Sequence, residues 1–221
     1  RVDATAAAAG VTPFGVYLGV FLALLHRWGA GGDLTVGVPV SVRRTRALRD
    51  LVGLLVNTVP VRVRFGPGAT FADAVGQAAR GLAEGAARAG YPFALMRPGS
   101  VSREPLCRIS ITLVQPFGDD TLADHGDGPV ELFAGHTSAR VPVPRLEGQF
   151  DVSAEIRRVA GTVAVRFRYD TGLFDEATVR RLLGHYTRLL DACCADPGGA
   201  VATAPLADAG DLAALLALGA G

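Results

Sequence analysis

The chain contains no lysine, and its 221 residues include only three cysteines, one tryptophan and one methionine. Arginine is therefore the source of all positive side-chain charge, and the formal net charge is only +1 at pH 7. A balance so close to zero gives no electrostatic basis for binding nucleic acid or an anionic membrane. Cys107, Cys193 and Cys194 are too few and too poorly spaced for a disulfide framework or a zinc site, which indicates a reduced, cytoplasmic setting.

Segments typical of a membrane protein or of some enzyme classes are also missing. The apolar stretch from Phe14 to Leu25 is shorter than the roughly 20 residues that a membrane helix needs, so no membrane partner is expected. The glycine-rich run 29–32 lacks the Lys-Ser/Thr of a phosphate loop, and no Gly-x-Ser-x-Gly nucleophile elbow occurs. No signal peptide opens the chain, which starts at Arg1 instead of Met, so we expect it to be part of a longer protein.

The aspartate-rich segment 117–129 is the place where a metal site would be sought. It contains four aspartates and His125, but it lacks the alternating acidic ligands and the closing glutamate of a calcium loop. We therefore predict a solvated loop and no bound metal.

What is present is typical of one globular domain. Hydrophobic residues make up 49% of the sequence and charged residues 19%, which provides enough apolar material for a core. Helices are predicted from Pro13 to Trp28, from Thr70 to about Ala89 and from Asp175 to Asp196, and the first is apolar on most sides, as a core helix is. Strands are predicted over Asp33–Val40 and from Ile109 to near Gln115-Pro116, and a hairpin joins Phe150–Ser153 to Val163–Tyr169 through a turn at 160–161.

The stretch from Val52 to Phe65 is the most informative one. Up to Asn57 it is nearly all apolar, which predicts a strand buried on both faces. After Thr58 apolar and polar residues alternate, which predicts a strand with one buried face. Asn57 interrupts the apolar part, and two interpretations are open: its amide bonds a neighbouring loop, or it lines a polar tunnel.

The same stretch carries a family resemblance. The run Val52-Gly53-x-x-Val56-Asn57-Thr58-x-x-x-Arg62 resembles the Val-Gly-x-Phe-Val-Asn-Thr-x-x-x-Arg signature of condensation domains of nonribosomal peptide synthetases, with Leu55 where that family usually has Phe. The match is specific, because the related epimerisation and heterocyclisation domains carry different residues at the Asn-Thr positions.

Other segments resemble the family in the right order. Gly37-x-Pro39-Val40-x-x-Arg43 is similar to a segment that leads into a loop beneath the active-site tunnel. Tyr91-Pro92-Phe93 is similar to the family's Asp-Tyr-Pro-Phe-Glu segment, with Gly90 and Ala94 at the two acidic positions. Segment 102–106 resembles Ser-Arg-Asn-Pro-Leu, with Glu104 replacing Asn. The end of the chain also matches, from Phe150-Asp-x-Ser to Asp196-Pro197, and the tail after it resembles the linker into an adenylation domain.

The resemblance covers only the carboxyl-terminal half of the family's domain. Condensation domains carry a His-His-x-x-x-Asp-Gly motif in their amino-terminal lobe, whose second His orients or deprotonates the attacking amine. None of the four histidines here lies in such a motif. The implied fold is α/β, a chloramphenicol-acetyltransferase-like lobe with a mixed sheet and packed helices. We expect residues 1–197 to form the C-terminal lobe, residues 198–221 to lead toward a following adenylation domain, and the isolated lobe to be inactive.

The resemblance also implies substrates, partners and a site. The full domain would join an upstream acyl or peptidyl thioester to a downstream aminoacyl thioester, both on phosphopantetheine arms of carrier domains. This lobe would bind no cofactor, and its partners would be the N-terminal lobe, peptidyl carrier domains and the adenylation domain. No residue carried over is catalytic. The residues carried over to the tunnel or the lobe interface are Arg43, Asn57, Thr58, Arg62, Tyr91, Pro92 and Phe93.

Arg43 and the whole chain each have alternative interpretations. In the family an Arg at this place pairs with the Asp of the His motif, so in this lobe alone Arg43 would be solvent-exposed or bonded locally. Composition by itself favours a solvated loop charge.

For the whole chain, the alternatives are a non-catalytic module that docks carrier proteins and a fragment of a coenzyme A-dependent acyltransferase. The adenylation-type linker favours the synthetase over both.

Overall fold

The structure, a computed structural model, describes residues 1–43, 45–48, 51–96, 105–114, 130–133, 136–138, 148–159, 162–207 and 211. The strands are β1 (Asp33–Ser41), β2 (Val56–Arg64), β3 (Ile109–Val114), β4 (Val130–Phe133), β5 (His136–Ser138), β6 (Val152–Val159) and β7 (Thr162–Tyr169). The helices are α1 (Val2–Ala9), α2 (Pro13–Arg27), α3 (Phe71–Ala87) and α4 (Glu176–Ala195), with short 3-10 turns at Arg46–Leu48, Phe93–Leu95 and Val201–Thr203.

A five-stranded mixed sheet carries the fold, in the order β2-β1-β3-β6-β7. β1 pairs with β2 and β6 pairs with β7 in antiparallel fashion, whereas β1–β3 and β3–β6 are parallel. β4 and β5 form a two-stranded sheet of their own. The predicted mixed sheet and the predicted hairpin are confirmed, and the aspartate-rich segment 117–129 lies outside the described residues.

Helices α2, α3 and α4 pack against one face of the large sheet. Because side chains alternate along a strand, every second strand residue points into the same core as the helices. The hydroxyl of Tyr186 in α4 donates to the carbonyl of Tyr17 in α2 at 3.1 Å inside this core. The buried strand residues of that face include Val36, Val38, Val59, Val61, Val63, Ile111, Ala154 and Ile156.

Helix α2 is the central element of the core. All of its residues from Gly15 to Leu25 are buried, which confirms the predicted core helix. Its start is also as predicted, since the Thr12 hydroxyl accepts from the amide of Gly15 at 3.2 Å. Within the described part of the chain, no single helix is long and apolar enough to cross a membrane, although α1 and α2 together reach the length with a bend of 98° between them.

Glycines allow α3 to lie close to the edge strand β2. A Cβ atom added at Gly81 would lie 3.2 Å from Val61, and one added at Gly85 would lie 3.1 Å from Val59. Both distances are tighter than ordinary packing, so these two glycines permit close packing against the sheet. Gly76 has no such neighbour on the strand, and it plays no part in this contact.

Helix α3 also satisfies the backbone of the edge strand. The Gln77 amide accepts from the Arg64 N–H at 3.0 Å and donates to the Arg64 carbonyl at 3.0 Å. These are the two hydrogen bonds that a further strand would otherwise make.

The prediction of a strand buried on both faces from Val52 to Asn57 is wrong. The strand begins only at Val56, and the residues before it form a loop in which Val52 is 98% and Leu54 is 89% exposed. The apolar run was typical of a central strand, whereas β2 lies at the sheet edge and this loop lies beyond the sheet.

The segment after α4 packs back against helices α2 and α3. Arg27, at the end of α2, donates to the carbonyl of Val201 at 2.7 Å and to that of Ala204 at 2.6 Å. The amide of Phe71 in α3 donates to the carbonyl of Gly199 at 3.2 Å. The first residues of the predicted linker are therefore held against α2 and α3.

We predict opposite effects on stability for two glycine-to-alanine substitutions. A Cβ atom at Gly19 of α2 would lie 2.6 Å from the Val75 Cα in α3, so Gly19→Ala should force the helices apart and cost about 1–3 kcal/mol. A Cβ atom at Gly76 would meet only the guanidinium end of Arg80, so Gly76→Ala should stabilise by roughly 0.5–1 kcal/mol. Urea unfolding followed by the fluorescence of Trp28 measures both, and equal effects would contradict the close helix contact.

Candidate interface at one end of the sheet

Two connecting segments meet at one end of the sheet. The register pairs Ser41 with Val56 and Val40 with Asn57, so β1 ends where β2 begins. The loop between them, residues 42–55, is closed by a hydrogen bond from the Val42 amide to the Leu55 carbonyl at 3.0 Å. The segment after α3 reaches the same end through its contacts with Asn57.

Asn57, the only asparagine in the chain, ties β2 to the segment after α3. Its Nδ2 donates to the carbonyl of Ala89 at 2.8 Å and to that of Tyr91 at 2.6 Å. Its Oδ1 accepts from the amide of Thr58 at 3.0 Å and from that of Phe93 at 3.1 Å. Both donors and both acceptor positions of the amide are therefore used.

These bonds correspond to the first of the two sequence-based interpretations of Asn57, the bond to a neighbouring loop. Four predicted site residues come together here: Asn57, Thr58, Tyr91 and Phe93. Pro92 lies between the last two and precedes the short turn that starts at Phe93. Thr58, Tyr91 and Phe93 meet Asn57 through backbone groups, which leaves the ring of Tyr91, a residue 54% exposed, open to solvent.

Arg43 holds the loop between β1 and β2. Its guanidinium donates to the carbonyls of Leu48 at 2.7 Å, Leu51 at 2.6 Å and Gly53 at 3.2 Å. Gly53 has a φ of 155°, a value that favours glycine, so the loop depends on that residue as well. Arg43 is therefore bonded locally in this chain, and its planar fork suits the three carbonyl acceptors.

An exposed apolar surface surrounds these anchors. Its members lie on the loop before β2, at the start of β2 and after α3, and all are more than half exposed. Exposed apolar side chains in such a group are typical of a surface that another protein segment covers. We call this surface the apolar rim, and it consists of Leu51, Val52, Leu54, Val56, Tyr91 and Leu95. Sequence analysis missed the rim because it assigned Val52, Leu54 and Val56 to a buried strand.

Arg62, the remaining predicted site residue, does not join this group. It pairs with Asp33 across the β1–β2 ladder, with Nε–Oδ1 at 2.6 Å and Nη2–Oδ2 at 2.5 Å. The hydrogen bond from Arg62 lowers the pKa of Asp33 to about 2, and Arg64 adds a weaker contact at 3.2 Å. All three side chains are largely exposed, so this pair contributes little to stability.

The rim and its anchors bring together groups for binding and not for proton transfer. The two histidines whose side chains are described lie elsewhere: His26 Nδ1 is 2.8 Å from the Gly31 carbonyl, and His185 Nδ1 is 3.0 Å from Trp28 Nε1. Burial raises the pKa of Cys107 to about 11 and that of Cys193 to about 12, so neither thiol is an activated nucleophile. Among the described residues, no group of three or more His, Cys, Asp or Glu side chains is arranged to hold a metal.

We predict that Asn57→Ala destabilises the chain by about 2 kcal/mol or more, because four backbone groups lose their partner. Asn57→Asp should be worse at neutral pH than near pH 4, since a carboxylate cannot donate to the carbonyls of Ala89 and Tyr91, whereas a protonated carboxyl can donate to one of them. Gln77→Ala is the matched control, because its two bonds are exposed and should be worth less. Equal effects of Asn57→Ala and Gln77→Ala on urea unfolding would contradict a central role for Asn57.

Comparison with known proteins gives a consistent result. The family model for the condensation domain matches residues 1–216. Phosphinothricin tripeptide synthetase PhsC of Streptomyces viridochromogenes is 32% identical over 206 residues, which are 91% of this chain and 18% of that protein. Nonribosomal peptide synthetase kk1B of Curvularia clavata is 29% identical over 203 residues, which are 89% of this chain and 2% of that protein. The chain thus spans only a small part of the relatives that it matches.

Solved structures agree on the fold. A four-domain nonribosomal peptide synthetase, holo-AB3403 bound to AMP and glycine, aligns with a TM-score of 0.80 at 22% identity, over 94% of this chain and 17% of that one. The first condensation domain of the calcium-dependent antibiotic synthetase aligns with a TM-score of 0.70 at 20% identity, over 94% of this chain and 44% of that one. From its sequence, and with a fold that agrees, the chain belongs to the condensation domain family of nonribosomal peptide synthetases.

Proposed function

We propose that this chain is the C-terminal half of a condensation domain and forms amide bonds only together with an N-terminal half. The reaction joins a carrier-bound acyl or peptidyl thioester to a carrier-bound aminoacyl thioester. The observation that carries the proposal is the apolar rim, which lies beside three segments that resemble the family's tunnel region and has no cover among the described residues.

The coverage of condensation-domain structures supports the proposal. The chain aligns over most of its own length with 44% of the calcium-dependent antibiotic synthetase domain and with 44% of the rhizomide synthetase starter domain. More than half of each of those chains therefore has no counterpart here. The absence of the His-His-x-x-x-Asp-Gly motif from this sequence agrees, since the family's catalytic His belongs to the N-terminal lobe.

The energetics of the rim also favour a covering partner. Burying one Leu or Val side chain contributes about 1.5–3 kcal/mol, so covering Val52, Leu54 and their neighbours would stabilise a two-lobe assembly by several such increments. Arg43 and Asn57 hold the loops that present these side chains. In the assembly Arg43 would also reach the Asp of the His motif, because its fork can bond both oxygens of a carboxylate.

The other partners follow from the same proposal. Peptidyl carrier domains would deliver both substrates on phosphopantetheine arms, and this lobe would supply one wall of the tunnel between the lobes. Residues 198–221 would lead toward an adenylation domain, and their first part already lies against α2 through Arg27.

The condensation assay uses loaded donor and acceptor carriers with the 221-residue chain, with a separately made N-terminal lobe, and with both. We expect no product above the uncatalysed rate from the chain alone, and product when the lobes are combined.

Leu54→Asp should weaken lobe association about tenfold or more, because it places a charge in the covered rim. Val163→Asp, on an exposed part of β7, is the control.

Heat-sensitive product from the chain alone would contradict the proposal. Carrier binding by the chain without product from the combined lobes would instead favour the docking module. If Leu54→Asp left the affinity between the two lobes unchanged, the rim would not be the contact surface.

Arg43→Ala should lower the stability of the 221-residue chain by less than about 1 kcal/mol, since its bonds reach only a loop with exposed side chains. In the complete domain the same substitution should cost about 3–5 kcal/mol, because it leaves a buried carboxylate without a partner. Paired thermal melts measure the difference, and Arg43→Lys is the control that keeps the charge and loses the fork. Equal destabilisation of the chain and the complete domain would mean that Arg43 serves its own lobe only.

A further inference from the structure

A nearly buried carboxylate lies between two guanidinium groups on the sheet face opposite to the helices. The side chain of Glu155 in β6 is only 9% exposed. Its Oε1 accepts from Arg157 Nε at 2.5 Å, and its Oε2 accepts from Arg168 Nη2, on β7, at 2.8 Å. The neighbouring residues Ala154 and Ile156 point into the core, which places Glu155 on the other face.

The surroundings of Glu155 are polar and positively charged. Arg166 lies directly opposite Glu155 in the β6–β7 ladder and is exposed. The hydroxyls of Ser110 and Ser153 bond each other at 2.9 Å on the same face. We call Glu155, Arg157, Arg166 and Arg168 the Glu155 cluster, in which three positive charges stand against one negative charge.

Stability alone does not account for this arrangement. Removing charges from water costs more than a buried ion pair usually returns, and apolar residues of similar volume are often as stable or more stable. Glu155 lies on an inner strand of the sheet, where an apolar side chain would be the ordinary choice. The position of Glu155 is better explained by a function of Arg157 and Arg168 that requires a carboxylate between them.

The arginines retain capacity for a further ligand. An arginine guanidinium has five N–H donors, and Arg157 and Arg168 each donate only one hydrogen bond to Glu155. Within the described part of the chain, neither has a second carboxylate partner. Their side chains are 30% and 42% exposed, so a ligand from outside can reach them.

We infer that Arg157 and Arg168 form a binding site for an oxyanion, a carboxylate or a phosphate, and that Glu155 is the positioning residue that fixes both guanidinium groups. Two forks held by one carboxylate can each present parallel N–H donors to the oxygens of the same anion. The inference does not rest on the condensation reaction, because the site would exist in the chain by itself.

The test is a titration of the 221-residue chain at constant ionic strength with inorganic phosphate and, separately, with glutarate. The arginine Nε–H signals in nuclear magnetic resonance spectra are the readout. We expect saturable shifts of the Arg157 and Arg168 signals and at least tenfold weaker binding in Arg168→Ala. Tighter binding of phosphate would identify a phosphoryl group as the ligand chemistry, and tighter binding of glutarate would identify a carboxylate. Failure of both anions to bind would overturn the inference.

Glu155→Gln separates an organised site from general positive charge. The substitution removes a negative charge, so simple electrostatics predicts tighter anion binding, whereas loss of the positioning carboxylate predicts binding weaker by several-fold. Arg181→Ala, on α4 on the other side of the sheet, makes the same charge change as Arg168→Ala and should leave binding unchanged. Trp28 fluorescence during urea unfolding confirms that each variant is folded, and Arg168→Lys replaces Arg168→Ala if the latter unfolds. Equal or tighter binding by Glu155→Gln, or an equal loss in Arg181→Ala, would overturn the inference.

Discussion

The side-chain amide of Asn57 holds the segment after α3 at the end of the sheet where the apolar rim lies. Asn57 is bonded to two carbonyls and two amides of the backbone, and three of those four groups belong to the segment after α3. Only an amide supplies two donors and two acceptors in this arrangement, because a carboxylate has no donor and a hydroxyl has one. The segment that carries the rim residues after α3 is thus held by the bonds of Asn57 as well as by the burial of Ala89 in the core.

The two faces of the sheet differ in the polarity of the side chains that they carry. On the helix face, α2 is buried along most of its length, and glycines bring α3 within close contact of both α2 and β2. On the other face, serines, a glutamate and arginines occupy positions that a second apolar layer would fill with leucine or valine. The sheet therefore has one apolar face, which is buried under the helices, and one polar face.

The sequence was sufficient to predict much of the fold. Helix starts at Thr12, Thr70 and Asp175 were predictable because capping is local and uses few residue types. The loop before β2 was not predictable, because an apolar run such as Val52 to Val56 has the same pattern whether it forms a buried strand or an exposed loop. Three of the four partners of Asn57 were also not predictable, since they lie 32 or more residues away. The contact of Glu155 with Arg168 was not predictable either, because it crosses a ladder whose register no local pattern reveals.

The contact between Gln77 and Arg64 has a consequence for how the edge of the sheet meets other chains. Open sheet edges invite pairing with strands of other chains, which is a route to aggregation. Along the outer edge of β2, the Arg64 N–H is taken by Gln77, the Thr58 N–H is taken by Asn57, and Pro60 has none. The backbone of Arg62 lies within 4 Å of where a Cβ atom at Gly81 would be, so α3 shields it. An incoming strand would find no accessible donor among these four residues, and this edge of the sheet is thereby protected against pairing with strands of other chains.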